Sequence, residues 1–367
     1  MEMVRYSPVI KLGESETRAI EHLSPLVREA ISPVIEITKG RGISKTKPDG
    51  TRFTEYPFDN RLSLFAEKFE HSTVFMDVAS DEGLTNDQID MFYSPDNGYN
   101  NWRLFLRKQK DSFAEIIPAV LLNFNDPDFE SNIKIEVREL IREFKAILYR
   151  FSLFDKGAMQ DYKTLIGCIG DSTLYILIDC GYVQSSLVRA FLKNIEAYVD
   201  FILKESSGKN VKIIVSGTSF PENLSEIGRD GYDVFPDSIV AIHSQLSNEK
   251  VSVIYSDFAA MQVKKNAIRV AKGWVPRIDV PLDREFFYYR KRRDSVLGYG
   301  QAYIDIAKMA CDDPKFPIHL AHNWGVDQIM QTANGNICGA SPSFWKSVRM
   351  SIHIEQQCLS RGLLKTS

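Results

Sequence analysis

No apolar run in the 367 residues approaches the roughly 20 needed to span a bilayer, and the start, MEMVRYSPVIKLGESETRAIE, lacks a signal peptide's basic segment and apolar core. The expectation is a soluble, cytoplasmic protein with no membrane partner. Charge of one sign is missing too: 45 basic and 48 acidic side chains leave a net −3. No global field exists to grip nucleic acid or an anionic surface, so any such binding must be local. Cysteine is sparse. Cys168, Cys180, Cys311, Cys338 and Cys358 are odd in number, widely spaced and free of a C-x2-C pair, which points to reduced thiols rather than zinc or disulfides. H-E-x-x-H, the Walker A pattern, G-x-S-x-G and an H-x-H on the first strand are all absent, so the familiar hydrolases lose ground.

What is present is 44% hydrophobic content and a repeated alternation of short apolar β-rich runs with amphipathic helical stretches, the pattern of parallel strands covered by helices. Eight runs read as strands: 33–38, 73–79, 116–122, 174–180, 211–216, 238–243, 251–256 and 275–280. Helical spacing joins Val137, Leu140, Ile141, Phe144, Ile147, Leu148 and Phe151 into one face. The fold expected is α/β, a (βα)8 TIM-like barrel over 1–285, with an open doubly wound parallel sheet as the alternative. A long first βα loop at 38–60, rich in Gly, Lys and Thr, suits a lid at the mouth. Residues 286–367 form a C-terminal helical extension packed on the barrel.

In such a barrel, the last inward residues of the strands build the site. Polar residues interrupt the apolar runs at Glu36, Asp77, Asn123, Asp179, Ser216, His243, Asp257, Arg277 and Asp279. A carboxylate there is costly to bury unless paired, hydrogen-bonded or metal-bound. Helix capping explains Asp77 and Asp257 one at a time. Glu36, between Ile35 and Ile37, has no such account. Together Glu36, Asp77, Asp179 and Asp257 suit either oxygen ligation of Mg²⁺ or Mn²⁺, or paired acid and base roles.

Three further features carry chemistry. The turn Ser216-Gly217-Thr218-Ser219-Phe220-Pro221 offers donors to a phosphate, against an ordinary tight turn. Arg277 and the run Arg290, Lys291, Arg292, Arg293, with Tyr288 and Tyr289, offer charge and stacking to a nucleic-acid strand, against a solvated helix face. In SPSFWKSVRMSIHIE, Trp345, Arg349, Ile352 and His353 share roughly one helical face, which suits structural packing or contact with the mouth. His319 and His322 have no acidic third ligand adjacent and fit a strand or turn.

The blocks YSPVIKLGESETRAIEHL, ISPVIEIT, FMDV, IIPAVLL, ILIDCG, SGTSFP, SDF and WKSVRMSIH, in this order over nearly the whole chain, resemble the phage-associated beta protein family. The resemblance implies a barrel-like domain of bacteria and prophages, in some cases in cassettes linked to abortive infection, and no established reaction. Its matches fall on Glu36, Asp77, Asp179, Ser216, Gly217, Pro221, Asp257, Trp345, Arg349 and His353. The 38–60 loop looks longer than the family's usual first turn. The function expected is therefore an anti-phage defence component whose mouth binds, and hydrolyses, a phosphate-bearing ligand such as a nucleotide or nucleic-acid end. Glu36, Asp77, Asp179 and Asp257 would act as catalytic groups or metal ligands, and Ser216, Gly217, Thr218, Arg277, Arg349 and His353 as ligand-binding residues. The competing expectation is a catalytically silent sensor or antitoxin-like partner of a neighbouring gene's product. A carbohydrate hydrolase using Glu36 is weaker, because aromatic sugar subsites are sparse at the strand ends.

Overall fold

The computed structural model describes residues 4–221, 231–246, 252–263, 273–293 and 295–364. In chain order its strands are β1 (Val9–Lys11), β2 (Val34–Ile37), β3 (Ile43–Thr46), β4 (Arg52–Glu55), β5 (Thr73–Val78), β6 (Glu115–Pro118), β7 (Ala146–Ser152), β8 (Thr173–Tyr182), β9 (Val211–Thr218), β10 (Gly231–Pro236), β11 (Val253–Tyr255), β12 (Arg277–Pro281) and β13 (Glu285–Arg290). The helices are α1 (Glu14–His22), α2 (Pro25–Glu29), α3 (Asp59–Phe69), α4 (Asp87–Asp90), α5 (Asp96–Gln109), α6 (Phe129–Glu143), α7 (Ala158–Ile166), α8 (Val188–Glu205), α9 (Ser238–Leu246), α10 (Gly298–Cys311), α11 (Trp324–Ala333) and α12 (Pro342–Ser360). None of the described helices is long and apolar enough to cross a membrane.

Two four-stranded parallel sheets form the centre, ordered β1-β2-β5-β6 and β11-β9-β8-β7. Their edges meet on both sides. Parallel bridges join Ala119 to Leu148 and Tyr6 to Tyr255, supported by Val120 N–H to the Leu148 carbonyl at 2.8 Å and Val9 N–H to the Asp257 carbonyl at 2.7 Å. The protein is thus a mixed α/β fold with parallel sheets and covering helices.

Strand alternation sorts the side chains. One set, including Val9, Val34, Phe75, Ile117, Ala146, Leu148, Tyr175, Leu177 and Ile214, forms a small core shared by both sheets. The alternate set, including Ile10, Ile35, Val74, Met76, Ile147, Tyr149, Ile176 and Ile213, joins the helices in the largest core. Two residues beyond Val9, Val34, Phe75, Leu148, Leu177 and Ile214 the chain turns polar: Lys11, Glu36, Asp77, Arg150, Asp179 and Ser216.

Three expectations change. Residues 238–243 are helix α9, not a strand: Asp237 accepts from the Val240 N–H and starts a helical turn, burying Ile239, Val240, Ile242 and Leu246. Residues 275–280 supply β12 of an antiparallel sheet ordered β10-β13-β12. The apolar face drawn through 137–151 breaks at Phe144, whose extended backbone (φ −123°, ψ 143°) ends α6 and releases β7. Uniformly apolar flanks hid that change of period. The central sheets therefore include β1 and β7 in place of 238–243 and 275–280. The strand expected at 251–256 is β11, with Val251 outside the described residues.

The 38–60 segment holds an exposed antiparallel hairpin, β3 with β4. A division at 285 falls inside β13, which pairs along its length with β12. The C-terminal helices share their own core, with Ile278, Val280, Phe287, Tyr303, Trp345 and Ile352 buried together. Ser341 caps α12 by accepting from the Phe344 N–H, with Pro342 in the first turn. Met350, Ile354 and Cys358 of α12 then enter the main core, binding this part to the central sheets.

Candidate functional site

Arg150, near the end of β7, is the hub of the polar layer. Its Nη1 donates to Glu36 Oε2 at 2.7 Å and to Asp77 Oδ2 at 2.8 Å, while Nε and Nη2 donate to Asp179 Oδ2 at 3.1 and 2.7 Å. Lys11 Nζ stands 3.3 Å from Glu36 Oε1. Register makes this possible: Lys11 pairs with Glu36 and Glu36 with Asp77 across adjacent strands. The Val78 N–H fixes Asp77 Oδ1 at 2.8 Å and the Gly181 N–H fixes Asp179 Oδ1 at 2.9 Å. Gly181 sits at φ +62°, a conformation that glycine adopts freely. Below the guanidinium lies the Phe258 ring, 5.8 Å from the Arg150 carbon and 5.1 Å from Lys11 Nζ.

These groups form the floor of a cavity of about 810 Å³, whose wall includes Tyr93, Phe151, Tyr182 and Phe220. At its rim Phe124 and Phe154 are 65% and 61% exposed. Large exposed phenylalanines beside a charged floor are what a ligand with a flat or apolar part would cover.

The carboxylates differ in acidity. Burial works to raise Glu36, but Lys11 and Arg150 outweigh it and bring it from 4.5 to about 2. For Asp77 burial wins: with Glu36 repelling from beside it and Arg150 only partly compensating, its carboxyl is pushed up from the ordinary value. Burial also opposes the Arg150 charge, yet Asp179, Glu36 and Asp77 together hold it firmly cationic. Neighbouring carboxyls with acidities moved in opposite directions are the arrangement acid–base chemistry uses.

The four expected carboxylates are not one group. Glu36, Asp77 and Asp179 converge, whereas Asp257 lies on the other side of its strand, 2% exposed. It accepts from Tyr6 and Tyr255 hydroxyls at 2.9 Å, from the Ala259 N–H at 2.7 Å and meets His353 Nε2 at 2.7 Å. Burial works to raise its carboxyl, but His353 and the other donors bring it below the ordinary value. That cluster ties α12 to Tyr6, just before β1, and to β11, and neither Asp257 nor His353 lines the mouth cavity. Among the described residues no group of three or more His, Cys, Asp or Glu side chains is arranged to hold a metal ion. The donor set argues against Mg²⁺ or Mn²⁺ on the floor, since a divalent ion would have to displace the guanidinium to which all three carboxylates are already bonded.

The expected anion seat is interior. Ser216 is fully buried with its hydroxyl unpartnered, and a Cβ on Gly217 would meet Ile239, Val183 and Cys180 at 3.2–3.3 Å. Thr218 donates to the Met261 carbonyl and Ser219 to Asp237. Among the described residues of this turn, Phe220 is the one that lines the mouth cavity. Arg349 and Arg277 share Asp279, at 2.8 and 2.7 Å, and Arg349 lies 3.9 Å over Phe220 from behind. His353 belongs to the Asp257 cluster. Tyr288 is buried beneath Arg277 at 3.7 Å and is not open for stacking on a nucleic-acid strand, while the half-buried Tyr289 packs against Tyr232 at 4.9 Å and donates to Asp313. His243 lies in α9 and bonds the Val253 carbonyl; His322 pairs with Glu355 at 2.6 Å.

Sequence reasoning missed Arg150 and Lys11. The signal was there, since each stands two residues after a shared-core residue of a strand, as Glu36, Asp77 and Asp179 do.

A family model described as Beta protein matches residues 6–358. No curated protein matches the chain at a significant level. Among solved structures, the spore cortex-lytic enzyme SleL of Bacillus megaterium QM B1551 is similar at 12% identity and a TM-score of 0.36, over 83% of this chain and 68% of that one. SleL of Bacillus cereus matches at 7% and 0.36, over 95% and 74%. A pyridoxal kinase from Staphylococcus aureus matches at 9% and 0.20, over 68% and 83%. Likeness at these scores transfers no chemistry. The family match covers nearly the whole length, and the chain belongs to the Beta protein family.

Proposed function

We propose that this Beta protein family member is a component of bacterial or prophage anti-phage defence whose mouth binds and hydrolyses a phosphate-bearing ligand of the nucleotide class. The observation that carries the chemical part is the Arg150 hub, with three carboxylates from three strands on one guanidinium at the floor of an aromatic-rimmed cavity. Two seams of parallel bridging between the sheets support reading the centre as a closed (βα)8 barrel. Such a barrel gathers its chemistry at the strands' C-terminal ends. The defence role rests on the family resemblance.

The roles follow from environment. Asp77, whose carboxyl is raised, hands a proton to the leaving oxygen as the phosphoester P–O bond breaks. Asp179, bonded to Arg150 and Gly181, takes the proton of the attacking water. Glu36 stays ionised and holds Lys11 and Arg150 in position against the developing negative charge. Phe124 and Phe154 cover the ligand's flat part.

The test is phosphate release from a panel of nucleotides and oligonucleotide ends by wild type and Asp77→Asn, together with plaque counts in cells carrying each. Release lost in Asp77→Asn along with protection supports the proposal. A second reading, a silent sensor or antitoxin-like partner of a neighbouring gene's product, draws on the full pairing of all three carboxylates with Arg150, as in a structural ion cluster. Undiminished protection by Asp77→Asn, with no release from any substrate, would establish that reading instead.

A further inference from the structure

Beside the mouth lies a second cavity of about 450 Å³, sharing Lys11 and Leu84 with the first. Five cationic side chains line it: Lys11, Lys39, Arg41, Arg61 and Lys346. Against them stand Glu14 and Glu16. Glu14 is held by Arg18 at 3.1 Å. Burial pushes the Glu16 carboxyl up, its own backbone N–H and Lys346 pulling the other way, and the two carboxylates face five cations. The local excess is positive, in a chain whose net charge is −3.

Three of these cations, Lys39, Arg41 and Arg61, stand clear of internal carboxylates among the described residues. Arg61 is anchored by Nη1 to the Leu12 carbonyl at 2.8 Å, which fixes its guanidinium at the cavity. Among the described residues no carboxylate lies within ion-pair distance of Lys39, Arg41 or Arg61. Lys39 is placed over the Tyr56 ring at 5.5 Å, and its N–H bonds the Leu84 carbonyl. A Cβ on Gly40 would strike the Pro57 carbonyl at 1.6 Å, so the backbone between Lys39 and Arg41 is pinned. The first turn of α1, Glu14 to Glu16 after Gly13, also faces this cavity, and its end of the helix dipole favours an anion.

We infer that this annex is the seat for the ligand's terminal phosphate, held by Lys39, Arg41 and Arg61, while the rest of the ligand lies over the Arg150 hub. The inference rests on the proposed reading of the mouth as a phosphate-ligand site and adds the subsite that the buried Ser216–Pro221 turn does not supply. Lys11 lies on the border, between Glu36 on one side and the annex on the other.

Titration of the purified protein with inorganic phosphate and with pyrophosphate, followed by calorimetry at two salt concentrations, tests it. Wild type should bind, more weakly at high salt. The double variant Lys39→Gln, Arg41→Gln should weaken binding by about tenfold or more. Neither residue carries a described ion pair, so folding should be intact, as circular dichroism would verify. Arg52→Gln, on the exposed β4, is the control for general surface charge and should leave binding within about twofold. Asp77→Asn should also retain phosphate binding, which separates the annex from the chemistry of the mouth. Absence of phosphate and pyrophosphate binding, an unaffected double variant, or an equal loss in Arg52→Gln would each overturn the assignment. Retained phosphate binding with no hydrolysis of any nucleotide would instead leave the annex standing and count against the proposed reaction.

Discussion

Replacing Arg150 with methionine keeps much of the side-chain volume but leaves Glu36, Asp77 and Asp179 facing one another without the guanidinium. A carboxyl brought from 4.5 to about 2, as Glu36 is, contributes about 3 kcal/mol of stability at neutral pH. Lys11 provides part of that, and Asp77, raised by burial, works in the opposite direction. Breaking a buried ion pair typically costs about 3–5 kcal/mol. Arg150 retains 18% side-chain exposure, so water offsets some of the loss and the low end, about 3 kcal/mol, is expected. The pH dependence follows from sign. In wild type the Glu36 contribution is fully present above its ordinary value and disappears only as pH falls through about 2. In Arg150→Met the unpaired carboxyls bind protons at higher pH, and each proton bound relieves repulsion. The gap between wild type and variant should therefore be widest at pH 7 and shrink by pH 4. Urea unfolding followed by tryptophan fluorescence at both pH values measures it. A loss below about 1 kcal/mol at pH 7, or a gap that does not change with pH, would refute the electrostatic account of the hub.

Other perturbations separate the site from its supports. Asp77→Asn removes a carboxylate that burial already disfavours, so stability should change by less than about 1 kcal/mol while hydrolysis is lost; thermal melts and phosphate release check both. His353→Ala leaves Asp257 buried without its imidazole hydrogen-bond partner and should cost about 2–4 kcal/mol, with mouth binding unchanged once the folded fraction is matched. Phe154→Ala and Phe124→Ala, both at exposed rim positions, should leave melting within about 0.5 kcal/mol of wild type but weaken nucleotide binding several-fold, as read by calorimetry. Wild type should also lose stability as pH falls below the ordinary carboxylate range, because Asp257 and Asp279, like Glu36, are held below their usual values; acid unfolding monitored by circular dichroism tests this.

The sequence by itself determined the α/β class and most strands, because hydrophobic runs bounded by turns and helical faces carry that information locally. It also determined that Glu36, Asp77 and Asp179 stand at strand ends, and that Trp345, Arg349, Ile352 and His353 share a helix. Three-dimensional structure decided which residues meet. Arg150 looked like the tail of a helical stretch because AILYRFS is apolar on both faces and α6 runs almost directly into it, so only strand pairing reveals that its side chain joins the shared face. Asp257 appeared equivalent to the other acids, yet the alternation through Ile254, Ser256 and Phe258 turns it to the opposite side, where α12 brings His353 from 96 positions away in sequence. The Ser216–Pro221 turn reads as a phosphate loop in one dimension. In three, its glycine is packed against side chains and two of its hydroxyls bond protein groups. The annex of Lys39, Arg41 and Arg61 gave no motif, because its cations come from a loop and a helix that only packing against α1 brings to one cavity. Local pattern reports what each residue is and which way its strand alternates; convergence depends on pairing between segments distant in sequence, and charge has meaning for function only once that convergence is known.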